Sequence, residues 1–244
     1  MKVIPITSWS YSRLSVWEQC KFRAQLQYGQ KIPEPERPLP PGKTEHANDR
    51  GTRIHDAAEQ FVRGTGPFIK EMESFRPEFE SLRTLFLEDR VSLEGEWGMD
   101  QNWDPCSWDS AWQRLKLDAL VFLSDYEAVV IDYKSGKKYG NEIKHAEQCQ
   151  SYQLNTFLRY PQLEIVHTEL WYLDQNDITC QTYSRNQGLK FRHSFNRRAL
   201  AMTTATEFPA NPSTWTCRYC PYSTREGGTG HCDKGVDGMP SKRR

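Results

Sequence analysis

Apolar positions recur at helical spacing through the first third of the chain. Leu14, Trp17, Ala24 and Tyr28 predict a helix over residues 10–28, with Ser10 or Ser12 able to cap its start. Pro33, Pro35, Pro38, Pro40 and Pro41 then make residues 31–44 a loop. A second helix is expected from about Asn48 to Arg63, with Ile54, Ala57, Ala58, Phe61 and Val62 as its buried stripe. Phe75, Phe79, Leu82 and Phe86, spaced four, three and four, mark a third.

The period then shifts to two. Val91, Leu93 and Trp97 share one phase, and Ser92, Glu94 and Glu96 the other. Residues 114–123 read as a second strand and Ala128 to Lys134 as a third. The run Ala128-Val129-Val130-Ile131 is apolar on both faces, as a central strand requires. A helix over 142–159, strands near 164–173 and 177–183, and a helix over 190–206 complete the pattern. This alternation predicts an α/β fold with a central mixed β-sheet flanked by helices. The expected division is residues 1–47 (first helix and Pro-rich loop), 48–207 (core) and 208–244 (a small Cys-containing module with a basic tail).

Composition narrows the function. The 244 residues carry 32 basic and 32 acidic side chains, which argues against a broadly basic nucleic-acid coat protein. It leaves room for an enzyme that grips nucleic acid in one groove. No apolar run approaches the ~18 residues of a membrane helix, and the start does not read as a signal peptide. A cytoplasmic protein with no membrane partner is therefore expected. Seven cysteines in that setting suggest reduced thiols or metal ligation.

The chemistry centres on Asp132-Tyr133-Lys134 at the end of the apolar strand. Side chains alternate along a strand, so Asp132 and Lys134 share a face and Tyr133 takes the other. A carboxylate that can hold Mg²⁺ beside a lysine that can orient water suits metal-assisted hydrolysis. Alone the pattern also fits a surface ion pair. Asp118, in the apolar run Leu117 to Val121, changes the weighting: an antiparallel pair turning near Ser124-Asp125 brings it beside Asp132. Two carboxylates on one face make a divalent-metal site. His55 borders the apolar stripe of its helix and is either a further ligand or a core histidine. Gln148 and Tyr152, four apart, share one helix face that either borders the site or is half-buried packing.

The ordered set Arg50-Gly51-Thr52-x-x-His55, Asp118, Asp132-x-Lys134 and Gln148-x-x-x-Tyr152 resembles the RecB-like branch of the PD-(D/E)XK nucleases, including the CRISPR-associated and AddB-type iron–sulfur exonucleases. The resemblance spans residues 10–232. It implies a restriction-endonuclease-like core acting on DNA in recombination, repair or phage DNA processing. His55, Asp118, Asp132 and the Tyr133 carbonyl would bind Mg²⁺ or Mn²⁺, Lys134 would orient water, and Gln148 and Tyr152 would contact DNA. Glu94 or Glu96 is the candidate for a further acidic position. Arg50, Arg53, Lys137, Lys138 and Lys144 cluster by sequence around the motifs as candidate phosphate holders, although any one of them taken singly reads more simply as solvated charge.

Cys217-Arg218-Tyr219-Cys220 is a C-x-x-C, and Cys232 follows in a Gly-rich segment. Three thiolates call for a fourth ligand. The resemblance supplies Cys20, since related iron–sulfur nucleases carry one cysteine before the core and three after it, and it implies a [4Fe–4S] cluster. His231 is the other candidate and would favour Zn²⁺. Either metal would staple the first helix to the tail. Cys106, Cys149 and Cys180 lack such spacing. A recombination or helicase protein is the candidate protein partner, and the rival functions are a non-catalytic DNA-binding or recombination partner and a zinc-stapled interaction module. The second leaves Asp118, Asp132 and Lys134 without a role.

Overall fold

The computed structural model describes residues 3–36, 38–39, 41–136, 138–225 and 227–236. In chain order the elements are α1 (Tyr11–Gln19), α2 (Lys21–Ala24), a π-helical turn (Gln25–Gly29), α3 (Ala47–Arg63), a 3₁₀ segment (Lys70–Phe75), α4 (Arg76–Leu87), β1 (Val91–Met99), β2 (Pro105–Cys106), β3 (Gln113–Phe122), β4 (Glu127–Lys134), α5 (Glu142–Arg159), β5 (Ile165–Tyr172), β6 (Asp177–Ser184), α6 (Arg185–Leu189), α7 (Phe191–Thr203) and α8 (Thr214–Cys217). Ser10 caps α1, its Oγ accepting from the Arg13 amide at 3.3 Å. The single helix expected over 10–28 is broken at Cys20, which is extended at φ −160° and ψ 108°. There the Phe22 amide donates to the Pro209 carbonyl, and the Asn211 amide to Cys20 Sγ, so contacts with the tail replace helical bonds.

Two compact units emerge: residues 39–195, and residues 1–38 with 196–244. The first holds a six-stranded sheet in the order β2-β1-β3-β4-β5-β6. Its pairings are antiparallel except β4 with β5, which are parallel and joined by α5. A parallel pair needs such a crossover, because a tight turn can only reverse the chain. The sheet is therefore mixed, as the sequence pattern predicts.

Both sheet faces are covered. Ile54, Ala58, Phe61 and Val62 of α3 and Phe79 and Leu82 of α4 pack on Val129, Ile131 and Tyr133 of β4 and Trp171 of β5. On the opposite face Tyr152 and Phe157 of α5 meet Ala128 and Val130 of β4 and Leu120 of β3. This assignment sends Asp132 and Lys134 toward α5. Helix α3 ends at Gly64, whose φ of 76° is the left-handed value that a side chain would disfavour. Helix α5 is buried almost all round from Cys149 to Phe157, including Ser151, Gln153, Asn155 and Thr156. Gly188 of α6 sits so close to α5 that a Cβ there would lie 2.0 Å from Gln153 Oε1. Among the described residues no helix is long and apolar enough to cross a membrane.

In the other unit, Leu26 and Tyr222 are fully buried against Cys232. The Tyr222 hydroxyl donates to the Ile32 carbonyl at 2.9 Å.

Candidate active site

The β3–β4 ladder closes with Ala119 opposite Ile131. The next positions, Asp118 and Asp132, are the two acids. Asp118 completes the bonding with its side chain: the Tyr133 amide donates to its Oδ2 at 2.6 Å. Its Oδ1 lies 2.9 Å from His55 Nδ1, on α3. The His55 ring in turn meets the edge of the Tyr133 ring, with centroids 5.8 Å apart.

Asp132 turns to α5. Tyr152 donates its hydroxyl to Asp132 Oδ1 at 2.6 Å and accepts from Gln148 Nε2 at 2.6 Å. Lys134 Nζ donates to Gln148 Oε1 at 2.8 Å and lies 2.5 Å from Asp132 Oδ2. These four side chains form a closed ring, and all are buried or half-buried. Asp132 Oδ2 is buried and, among the described residues, takes no aligned hydrogen bond; the Lys134 ammonium lies against it.

The electrostatics follow from burial. Burial raises the Asp118 carboxyl above the usual carboxylate range, and the nearby Asp132 charge adds to this against the opposing His55 hydrogen bond. Burial and the Asp132 charge hold the Tyr152 phenol well above its ordinary value, so it remains a donor. A pair of buried, mutually repelling carboxylates with a neighbouring histidine has the donor chemistry of a divalent-cation site. Among the described residues no three His, Cys, Asp or Glu side chains gather on one point as they stand, because His55 and Asp118 are turned to each other.

The remaining sequence candidates are dispersed. Position 94 falls across from 118 in the β1–β3 ladder, between the pairs Leu93↔Ala119 and Gly95↔Leu117; its side chain lies outside the described residues. Glu96 is an exposed partner of Lys116 at 2.7 Å, away from the ring. Arg50 holds Asp174 with two nitrogens at 3.1 and 2.8 Å and donates to the Ser135 carbonyl at 2.8 Å. It latches α3 to the strand end that carries Lys134. Arg53 is bound by Glu45 and Glu71 at 2.7 and 2.6 Å. Lys138 is paired with Asp177, Lys144 is exposed, and Lys137 lies outside the described residues. Ser135, Asp174, His145 and Tyr172 also belong to this neighbourhood and were not anticipated. For His145 a signal existed, since it stands three residues before Gln148 on the same helix face.

In the other unit Cys20, Cys217, Cys220 and Cys232 line one cavity. Cys220 and Cys232 are raised by burial and by the surrounding thiols. For Cys217, burial is outweighed by hydrogen bonds with the Val236 and Ser213 backbone and the Thr216 hydroxyl, so its thiol is lowered. His231 is exposed and bonded to Thr229.

Residues 8–124 and 114–225 match the sequence model of the PD-(D/E)XK nuclease superfamily. The chain belongs to that superfamily, and its mixed sheet with flanking helices is the corresponding restriction-endonuclease-like core. None of the curated proteins matches the sequence. Among solved structures, the crystal structure of SSO0001 is similar at 14% identity and a TM-score of 0.46, covering 89% of this chain and 84% of that one. An alkaline exonuclease from Laribacter hongkongensis is similar at 13% identity and a TM-score of 0.32, covering 82% of this chain and 89% of that one. Likenesses this distant carry nothing about substrate or mode of cleavage.

Proposed function

We propose that this chain is a divalent-cation-dependent deoxyribonuclease that hydrolyses phosphodiester bonds at Asp118, Asp132 and Lys134. The observation that carries the reading is the ring Asp132–Lys134–Gln148–Tyr152 built beside the His55–Asp118 pair. Asp118, Asp132, His55 and the Tyr133 carbonyl would hold Mg²⁺ or Mn²⁺. Such a cation supplies Lewis-acid stabilisation of the charge that develops on the phosphate.

The chain's own groups do the rest. Lys134 braces Asp132 and presents its remaining ammonium proton to the attacking water or the phosphate. Gln148 fixes the ammonium and Tyr152 fixes the carboxylate, so both act first as positioning residues in this reading and meet DNA second. Arg50 and Arg53 would have to exchange their carboxylate partners for phosphates to bind DNA. Exonuclease action in recombination or repair is the mode and process that the family resemblance implies.

The test is cleavage of end-labelled single- and double-stranded DNA with Mg²⁺ or Mn²⁺. Asp132→Ala and Lys134→Ala should abolish cleavage while circular dichroism stays unchanged. Full activity in either folded variant overturns the assignment. Product lengths over time separate exonuclease from endonuclease.

We further propose a [4Fe–4S] cluster held by Cys20, Cys217, Cys220 and Cys232. Four thiols line one cavity. Thiolates suit both iron–sulfur clusters and Zn²⁺, and the family resemblance favours the cluster. The Asn211 amide at 3.5 Å from Cys20 Sγ is the kind of donor that stabilises a ligating thiolate. The role is structural, since hydrolysis moves no electrons. Anaerobically purified protein should be brown and contain iron; a colourless protein with one zinc overturns the cluster.

A further inference from the structure

His145, Gln148 and Tyr152 lie at i, i+3 and i+7 on α5 and therefore share a face. Gln148 and Tyr152 are consumed by the ring around Asp132 and Lys134. His145 is not. It is half-buried, its Nδ1 lies 2.8 Å from the Tyr172 hydroxyl, and its Nε2 has no partner among the described residues. Tyr172 is opposite Lys134 in the β4–β5 ladder, so the histidine is anchored to the strand position that adjoins the catalytic lysine. The His145 and Tyr172 rings are 5.6 Å apart at 42°, and Lys138, paired with Asp177, stands 5.4 Å from the Tyr172 ring centre.

We propose that His145, oriented by Tyr172, forms a subsite for the DNA phosphate adjacent to the scissile one, with Nε2 donating to a non-bridging oxygen. The inference rests on the nuclease reading and adds a contact to it. Position supports it: His145 stands about one helical turn before Gln148, whose side chain holds the Lys134 ammonium. The hydrogen-bond chemistry supports it as well. Burial pushes the Tyr172 phenol up to about 12, so its hydroxyl stays protonated and can donate to Nδ1. The neutral imidazole then carries its proton on Nε2 and can donate from it.

The groups around the ring make this contact sensitive to pH. Burial lowers the His145 pKa below its usual 6.5. The Lys134 charge reinforces this, Asp132 opposes it, and Lys144 and Glu142 on the same helix act in opposite senses. Lys138 and Asp177 complete the surroundings as a neutralised pair. Free enzyme at pH 7 thus keeps a neutral histidine, and a bound phosphate favours the charged one. Affinity for DNA should strengthen as pH falls through that lowered value.

The experiment compares KM and kcat for end-labelled DNA between pH 5 and 8 in the intact protein, His145→Ala and His145→Gln, with anisotropy of the same DNA in EDTA as a second readout. His145→Ala should raise KM by about tenfold or more, the loss of one hydrogen bond to a charged group. It should also abolish the acid-side strengthening. His145→Gln, which can donate but cannot titrate, should restore affinity at pH 8 and leave the pH response flat. An unchanged KM in His145→Ala, a loss confined to kcat, or an unaltered pH response overturns the subsite while leaving the nuclease reading in place. An intact protein that neither binds nor cleaves DNA overturns both.

Discussion

Replacing Tyr152 by Phe deletes one oxygen and separates two roles for that residue. The hydroxyl donates to Asp132 Oδ1 at 2.6 Å and accepts from Gln148 Nε2 at 2.6 Å, inside a ring whose other members are Lys134 and Asp132 itself. The side chain is 4% exposed, so the ring of Phe would still fill the space and water could not easily replace the lost group. A hydrogen bond to a charged partner contributes about 1.5–3 kcal/mol. At 1.36 kcal/mol per decade that predicts a kcat lower by roughly ten- to 150-fold, because the fixed orientation of Asp132 is needed most where charge develops in the transition state. KM should change little. Single-turnover cleavage of end-labelled DNA, with thermal melting to confirm the fold, measures both. If Tyr152→Phe instead raises KM and leaves kcat intact, the residue serves DNA contact and the positioning argument fails.

Asp118→Asn should abolish cleavage yet stabilise the cation-free protein at neutral pH, read by melting in EDTA. The folded carboxyl is raised above 3.8, so the ionised form costs stability at neutral pH, and the intact protein should gain stability as pH falls through the raised value toward 3.8. The Asn variant should lack that gain. Mg²⁺ or Mn²⁺ should raise the melting temperature of the intact protein and not of Asp118→Asn. Cys20→Ser should lose absorption near 400 nm and loosen the tail toward proteolysis, while the sheet keeps its far-ultraviolet signature. Gly188→Ala forces a Cβ to within 2.0 Å of Gln153 Oε1 and should destabilise the fold by about 1–3 kcal/mol in urea titration.

The sheet and its helices were legible because each buried face repeats at its own period: α5 over 142–159 and the both-sided apolar run of β4 coincide with the observed elements. The candidate set His55, Asp118, Asp132, Lys134, Gln148 and Tyr152 was readable through the order of the family motifs, and these side chains form two groups, His55 with Asp118 and Asp132 with Lys134, Gln148 and Tyr152. The break at Cys20 was not readable, since its cause is a pair of contacts with residues 209 and 211, nearly two hundred positions away. Nor was the fate of Arg50. A sequence shows a cation near a motif but not the Asp174 carboxylate that a β-turn brings under it. Tyr172 was hidden for the same reason, because its place beside Lys134 depends on parallel register.

The parallel pairing of β4 with β5 also has a kinetic meaning. These strands cannot zip from a hairpin, and they come together only after the whole of α5 has been laid across the sheet. The same helix brings Gln148 and Tyr152 to Lys134 and Asp132. The β3–β4 hairpin alone carries Asp118 and Asp132 without Gln148 and Tyr152. The proposed catalytic ring is thus complete only where the parallel pair and its crossover helix are both in place.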